Sequence, residues 1–282
     1  MSQGNGRPRF AIITGDDFGS SSAVNQGIIE AHERGVLTSA SLMVRGEAFE
    51  EAVALAKSHP RLAVGLHLVV SSGRSVPELI RTGWRFQFKP QVRRELHLEI
   101  RAQLEKFRQT GLVLSHVDGH QHMHVHPVVL GLLIEMADEF GIRAVRLPGE
   151  ELGITLRVDR GGLLTKLLYS WVFGWLRRYG ARRLQAASIE FADRVYGLLQ
   201  TGRMTEEYLL GLIPRIPAAR VEIYSHPTVS FDGGDPEGAS RAQLEALLSE
   251  GVRRTLVSSG FQLATYRALK GSDPLGSDPI RF

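Results

Sequence analysis

The sequence contains no cysteine, which excludes disulfides, thiolate metal sites and cysteine nucleophiles. It has no uninterrupted run of roughly 18 apolar residues, the length a spanning helix needs. Its opening stretch, MSQGNGRPR, is polar and lacks the apolar segment of a leader. A cytoplasmic location is therefore expected. There is no strong surplus of one charge either: 34 basic and 30 acidic side chains leave +4. No basic stripe with interleaved aromatics marks a nucleic-acid surface, so no nucleic-acid partner is expected. Internal repeats and low-complexity tracts are also missing. What remains is a chain of 282 residues, 43% hydrophobic and 23% charged. That is an ordinary globular composition, long enough for one α/β barrel.

Short apolar runs alternate with helical patterns. Strands are expected at about 10–14, 38–44, 62–68, 112–117, 142–147, 221–225 and 255–258. Helices are expected at about 20–35, 47–57, 92–109, 128–140, 206–213 and 241–250, with Gly111 closing the 92–109 helix at its C′ position. Such alternation implies parallel strands joined by crossover helices. An open doubly wound sheet and a closed or incomplete barrel both fit.

The ionisable residues fall in register with this map. Asp16 and Asp17 directly follow the first strand, and His67 ends the third. Asp118 and His120 end the next, Arg146 lies near the end of the one after, and His226 follows 221–225. All lie at carboxyl ends of strands, where the loops of parallel α/β folds converge on one cavity.

Four motifs carry the chemistry. In GDDFG (15–19), two adjacent carboxylates leaving a buried strand are costly unless a cation faces them. One could bind a metal while the other takes a proton from its water; a polar turn capping the next helix is the plainer alternative. His67 in VGLHLVV is a histidine in an apolar strand, more often a core residue, but its place near the strand end favours a ligand. HVDGHQHMHVHP (116–127) alternates histidine with other residues and so gathers imidazoles on one extended face, which suits a divalent transition metal. Within it His120 is the best ligand candidate and Asp118 its support. His122, His124 and His126 are expected beyond the strand, on the approach to the next helix. In SHP (225–227), the proline holds His226 extended, either as a general acid or in a plain turn.

Taken together, TGDDFG, VGLHL, HVDGHQHMH and YSHP resemble the YdjC-like carbohydrate deacetylases, which include chitooligosaccharide deacetylases. The resemblance runs from about Phe10 to Tyr266. The stretches VRLPGE, ADRVYGLLQTGRM and VEIYSHP look most like the hopanoid-biosynthesis-associated members. These are implicated in deacetylating an N-acetylglucosaminyl hopanoid. The resemblance implies a distorted (β/α) barrel-like fold of fewer than eight full units. It implies one divalent ion, zinc or magnesium, held by Asp17, His67 and His120. It also implies Asp16 as general base and His226 as general acid. Asp118, Arg146 and His122 are expected in supporting or substrate-binding places, with Arg146 either orienting a catalytic carboxylate or forming a structural ion pair. The implied activity is hydrolysis of the acetamide of an N-acetylated amino sugar, lipid-linked in the hopanoid-like case and a soluble chitooligosaccharide otherwise. Residues 1–282 then form one deacetylase domain, with a flexible 1–9, an inserted and more variable helical segment at 151–200, and a tail at 271–282.

Two other functions compete. A glycosidase needs two carboxylates roughly 5–9.5 Å apart across the scissile bond, which adjacent aspartates and a histidine surplus suit poorly. A non-catalytic metal- or sugar-binding protein would bind the ion and release no acetate.

One segment stands apart. In GGLLTKLLYSWVFGWLRRYGARRL (161–184), Leu163, Leu164, Leu167, Leu168, Trp171, Val172 and Trp175 recur at helical spacing. Lys166, Arg177, Arg178, Arg182 and Arg183 add positive charge. Periodicity alone allows two outcomes: a stripe buried against a barrel, or a helix at a membrane interface beside the active-site mouth, giving peripheral contact with the inner face.

Overall fold

A computed structural model of the protein describes residues 8–71, 75–230 and 240–270. The expected tail at 271–282 lies outside the described residues, as does the expected flexible N-terminus except Pro8 and Arg9. Arg9 already belongs to the first strand.

The core is a curled parallel sheet of seven strands among the described residues: β1 (Arg9–Phe18), β2 (Ser39–Leu42), β3 (Ala63–Leu68), β4 (Val117–Gly119), β5 (Arg194–Tyr196), β6 (Arg220–Ser225) and β7 (Phe261–Ala264). Their order is β4-β3-β2-β1-β6-β5, with β7 also paired to β1. Single bridges carry the curl onward. Val117 pairs with Val145, and Ala144 with Glu190, four residues before β5. The sheet thus bends toward closure as a barrel-like α/β fold of fewer than eight full units. Every ladder between named strands is parallel, so crossover helices return the chain, including Ser22–Arg34, Phe49–Ser58 and Pro90–Gln109. Strand interiors such as Ala11, Ile13, Leu66 and Val221 are buried among them.

Local chemistry explains the boundaries. Ser21 caps Ser22–Arg34 by accepting from Val24 N. Gly111, at φ +76, follows the Pro90–Gln109 helix as expected. The 128–140 helix is present but divides at Met136 into Pro127–Glu135 and Ala137–Phe140.

Several boundaries differ from expectation. Residues 255–258 are not a strand but the end of the helix Glu250–Ser258, which Ser249 caps through Val252 N. The strand comes three residues later, as β7. At 112–117 only Val117 joins a strand, and 142–147 contributes isolated bridges rather than a ladder. A helix at Val76–Phe88 was not anticipated. Its start follows a Ser75-x-x-Glu78 box in which Glu78 accepts from Ser75 N at 3.0 Å. The 151–200 segment is helical at Leu152–Val158 and Leu163–Ala186, but it also returns β5 to the sheet.

This returning segment is tied down by Glu150. The side chain keeps some surface, yet its carboxyl turns inward, accepting from Leu199 N at 2.7 Å and Thr155 Oγ1 at 3.0 Å. Burial pushes its pKa up to about 7. The unfolded chain releases this proton near the ordinary carboxyl pKa, about 4.3, before the folded chain does. Between the two values the unfolded state therefore binds fewer protons, and this group's contribution makes stability fall as pH rises. Glu150→Gln should flatten that part of the stability profile, measured by urea unfolding from pH 4.5 to 7.5. An unchanged slope would show that Glu150 ionises as freely folded as unfolded.

Candidate active site

The site is built on the inward face of the strands. Side chains two apart on a strand share a face, so Thr14 and Asp16, Gly65 and His67, His116 and Asp118, and Glu222, Tyr224 and His226 form matched sets. Adjacent residues such as Asp16 and Asp17 would normally point to opposite faces. Here β1 gains one residue against β2 between Gly15↔Ala40 and Phe18↔Leu42, which is a β-bulge. Asp17 sits in it at φ 63, a region costly for a residue with a side chain. The two aspartates are therefore within β1 rather than after it, and the bulge brings both carboxylates to one site.

Arg146 is the hub. Its guanidinium is fully buried. Nη1 and Nη2 donate to Asp16 Oδ2 and Oδ1 at 2.6 and 2.7 Å. Nε and Nη2 reach Glu222 Oε1 at 3.0 and 2.8 Å, and Nη2 lies 2.8 Å from Asp118 Oδ2. Its central carbon lies 4.6 Å from the centre of the Tyr224 ring. Glu222 also accepts from Thr14 Oγ1 at 2.7 Å and from the Tyr266 hydroxyl. Arg146 thus contacts Asp16 and at the same time anchors a buried ion cluster.

Asp118 supports His67 rather than His120, the ligand it was expected to support. Its Oδ1 is 2.8 Å from His67 Nδ1, and its Oδ2 accepts from Ser41 Oγ at 2.6 Å. Burial opposes charge on His67, but Asp118 and Asp17 outweigh it and raise its pKa well above the ordinary value. Once that proton is given up, a ring donating through Nδ1 presents the lone pair of Nε2 on its other side. That nitrogen is 3.2 Å from Asp17 Oδ1, and His120 Nδ1 is 3.5 Å from the same oxygen. Neither approach has hydrogen-bond geometry, and both carboxylate oxygens of Asp17 are buried without a hydrogen-bond partner. Burial opposes charge on Asp17, but attraction to His120 and His67 outweighs it and holds the carboxyl far below the usual range.

Donor atoms of Asp17, His67 and His120 all lie within 4.8 Å of one another. A second such group, Asp16, His67 and Asp118, already has Arg146 between its carboxylates. In the first, neither carboxylate oxygen of Asp17 has a hydrogen-bond partner. His226 lies beside it, with Nε2 3.8 Å from Asp17 Oδ2 and 4.0 Å from Asp16 Oδ2.

His122 is separate from this group. It stands in the 3-10 turn His120–Val125 with φ 57, next to Gln121 at φ 54, and its Nε2 is 2.8 Å from the Tyr224 hydroxyl. Burial, then the neighbouring charges of His124 and Arg146, hold its pKa well below the ordinary value, so it is neutral. The other histidines of the motif are structural. His124 Nε2 donates to Arg146 O at 2.8 Å, and His126 Nδ1 accepts from Val128 N. His116 stacks on Tyr266 at 4.3 Å. It can do so because residue 65 is glycine: a Cβ there would lie 2.4 Å from the His116 ring.

Sequence reasoning missed Glu222, Tyr224 and Tyr266. The signal for the first two was present in VEIYSHP, where a glutamate interrupts an apolar strand and shares the face of His226.

Asp16, His67, His120, His122, Tyr224 and His226 line the polar end of a cavity of about 930 Å³. Its walls are largely apolar. Leu79, Trp84 and Phe88 come from Val76–Phe88, and Leu168, Val172, Phe173 and Trp175 from Leu163–Ala186.

Comparison with known proteins agrees with this architecture. The family model described as YdjC-like protein matches residues 10–258. A carbohydrate deacetylase of Geobacillus stearothermophilus is 33% identical over 276 residues, covering 92% of this chain and 98% of that protein. A carbohydrate deacetylase of Brevibacillus brevis is 46% identical over 146 residues, 49% of this chain and 58% of that protein, so that match spans little more than half of the relative's length. Among solved structures, an Enterococcus faecalis V583 protein named for cellobiose-phosphate cleavage aligns with a TM-score of 0.62. It is 23% identical and covers 93% of this chain and 99% of that one; this likeness concerns the fold.

The ion cluster makes its own prediction. Arg146→Met keeps the length of the side chain but leaves three buried carboxylates without their cation. It should lower unfolding free energy by about 3–5 kcal/mol, the usual cost of breaking a buried ion pair, read from urea melts. A loss below about 1 kcal/mol would mean that the carboxyls are protonated and the cluster is not ionic.

Proposed function

The chain belongs to the YdjC-like protein family, and from that premise we propose that it is a metal-dependent N-deacetylase. It hydrolyses the acetamide of an N-acetylglucosamine-type sugar, carried on a lipid of the hopanoid kind. The observation that carries the proposal is Asp17: a buried carboxylate with neither oxygen satisfied, faced by two imidazoles, beside an arginine-clamped aspartate and a third histidine.

These residues fit a divalent ion. An ionised carboxylate and two imidazoles are the donor set of many three-ligand sites with open positions, and they favour zinc or another transition metal over magnesium. Asp17, His67 and His120 would hold the ion, which when bound supplies Lewis-acid polarisation of the acetamide carbonyl and a more acidic water.

The remaining steps belong to the chain. Both Asp16 oxygens are fixed by Arg146, so the carboxylate meets the cavity in one orientation. Asp16 takes the water's proton as the water oxygen bonds to the carbonyl carbon. The C–N bond then breaks, and His226 gives the departing nitrogen a proton, releasing acetate and the free amine. Gln243 holds the His226 backbone from both sides: its Oε1 accepts from His226 N at 3.2 Å, and its Nε2 donates to His226 O at 3.4 Å. His122 and Tyr224 face the same cavity and would contact the sugar.

A lipid-borne sugar is preferred over a soluble chitooligosaccharide because the walls above the polar floor are leucine, valine, phenylalanine and tryptophan. A glycosidase is a poorer fit, since Asp16, Asp118 and Glu222 are all bound to Arg146. A purely binding role leaves the Asp16–His226 pair without a purpose.

Incubating the protein with N-acetylglucosaminyl compounds, a hopanoid glycoside among them, should show loss of one acetyl mass. Elemental analysis should find one divalent ion per chain. Asp16→Asn should abolish turnover and keep most of the metal, whereas Asp17→Asn should lose both. His226→Ala should slow turnover by roughly 10²–10⁴. Reversed behaviour of the two aspartate variants would exchange their roles, and unchanged kinetics of His226→Ala would remove it from the reaction.

A further inference from the structure

Among the described residues, thirteen large apolar side chains stand exposed, and nine of them lie on just two helices, Val76–Phe88 and Leu163–Ala186. The rest are scattered, as single exposed apolar residues usually are. The stripe at 163–175 therefore does not face the core: Leu164 is 82% exposed, Trp171 76% and Trp175 56%. Val76–Phe88 answers it with Ile80, Trp84 and Phe88, the last two with ring centres 4.8 Å apart.

These helices are the two walls of the catalytic cavity. Ile80, Trp84, Phe88 and Trp175 belong both to the exposed surface and to the cavity lining. An apolar surface thus runs from open solvent toward the polar floor, with Gln87, Thr165, Thr201 and Arg203 among the residues beside it. The charges on these helices are predominantly positive. Leu163–Ala186 contains no acidic residue, and Val76–Phe88 contains only Glu78. Arg81 and Arg85 are exposed on one helix, and Arg178, Arg182 and Arg183 on the other. Two of the basic residues expected to contribute do not. Lys166 is buried against Asp159, with Nζ 2.7 Å from Oδ2. Arg177 is turned inward to the carbonyls of Ala192 and Asp193.

We infer that these two helices form a membrane-docking surface that seats the cavity mouth on an anionic lipid bilayer. Tryptophan, leucine and phenylalanine enter the acyl boundary while the arginines meet lipid phosphates, the division of labour of interfacial helices. No helix among the described residues is long and apolar enough to cross a membrane, so the contact is peripheral. A second copy of the chain is a poorer occupant, because a two-fold pairing of this face sets its unopposed arginines against their equals. The purpose of docking rests on the deacetylase reading: an amphiphile could keep its apolar part in the bilayer while its sugar descends to Asp16 and His226. The docking itself depends only on the surface.

The test is sedimentation with vesicles of phosphatidylcholine alone and of phosphatidylcholine mixed with phosphatidylglycerol, using the full chain. Wild type should bind the mixed vesicles, less so as salt rises. Leu164→Ser/Trp171→Ser should bind at least about tenfold more weakly, having lost two inserting side chains. Circular dichroism should confirm that the variant is folded. Neither residue lines the cavity, so both proteins should turn over a soluble N-acetylchitooligosaccharide equally. Wild type that ignores both vesicle types overturns the inference. So does wild type that sediments alone as a dimer which the double variant abolishes, since a second copy then covers the surface. Vesicle binding without any acetyl release would leave the docking surface standing and remove the deacetylase reading instead.

Discussion

Arg146 takes its guanidinium wholly out of water and gives every nitrogen a carboxylate oxygen. A buried cation is tolerable only when paired in this way, and the pairing reaches across the sheet: Asp16 comes from β1, Asp118 from β4 and Glu222 from β6. The cluster therefore joins strands on both sides of β1 at the level of the cavity floor. It also sets the orientation of what lies above it. Asp118, held by Arg146 and Ser41, fixes the His67 ring, while Asp16 can turn neither carboxylate oxygen away from the guanidinium. The chemistry proposed for the site depends on these two consequences more than on any single donor.

Backbone strain gathers at the same place. Among the described residues four that are not glycine have positive φ, and three of them are Asp17, Gln121 and His122. Such conformations cost roughly 1–3 kcal/mol each and persist where the surroundings fix them. Here the surroundings are the bulge in β1 and the 3-10 turn after β4. The first brings Asp17 to the face Asp16 already occupies. The second turns His120 toward Asp17 and sends His122 to Tyr224. A regular strand followed by a regular helix would scatter these side chains, so the irregularities have a defined use.

Much of the site was legible in the sequence because its residues stand at strand ends, where parallel sheets collect function. Asp16, Asp17, His67, Asp118, His120, Arg146 and His226 do converge. What was not legible depended on tertiary contact. Glu222 reads as an oddity in an apolar strand until Arg146 is placed beside it. His116 reads as a ligand candidate until Gly65 and Tyr266 show the slot it fills. Helix and strand at 250–264 were displaced because Thr255–Ser258 is too short for period to decide, and the Ser249 cap decided it instead. Val76–Phe88 escaped notice although its Ser-x-x-Glu start was present. Finding it changes the meaning of 161–184, since one exposed stripe is ambiguous whereas two flanking the same cavity define its mouth.

In the proposed site Asp17, with its unsatisfied buried carboxylate, is the anionic ligand of a divalent ion, while Arg146 keeps Asp16 away from that ion. Anomalous diffraction at the zinc edge, from crystals grown with zinc, tests this directly. One strong peak should lie within bonding distance of a carboxylate oxygen of Asp17, His67 Nε2 and a ring nitrogen of His120. Asp16 should remain on Arg146 and not bond to the ion. A peak bound instead by Asp16 and Asp118, with Arg146 displaced, would contradict this assignment.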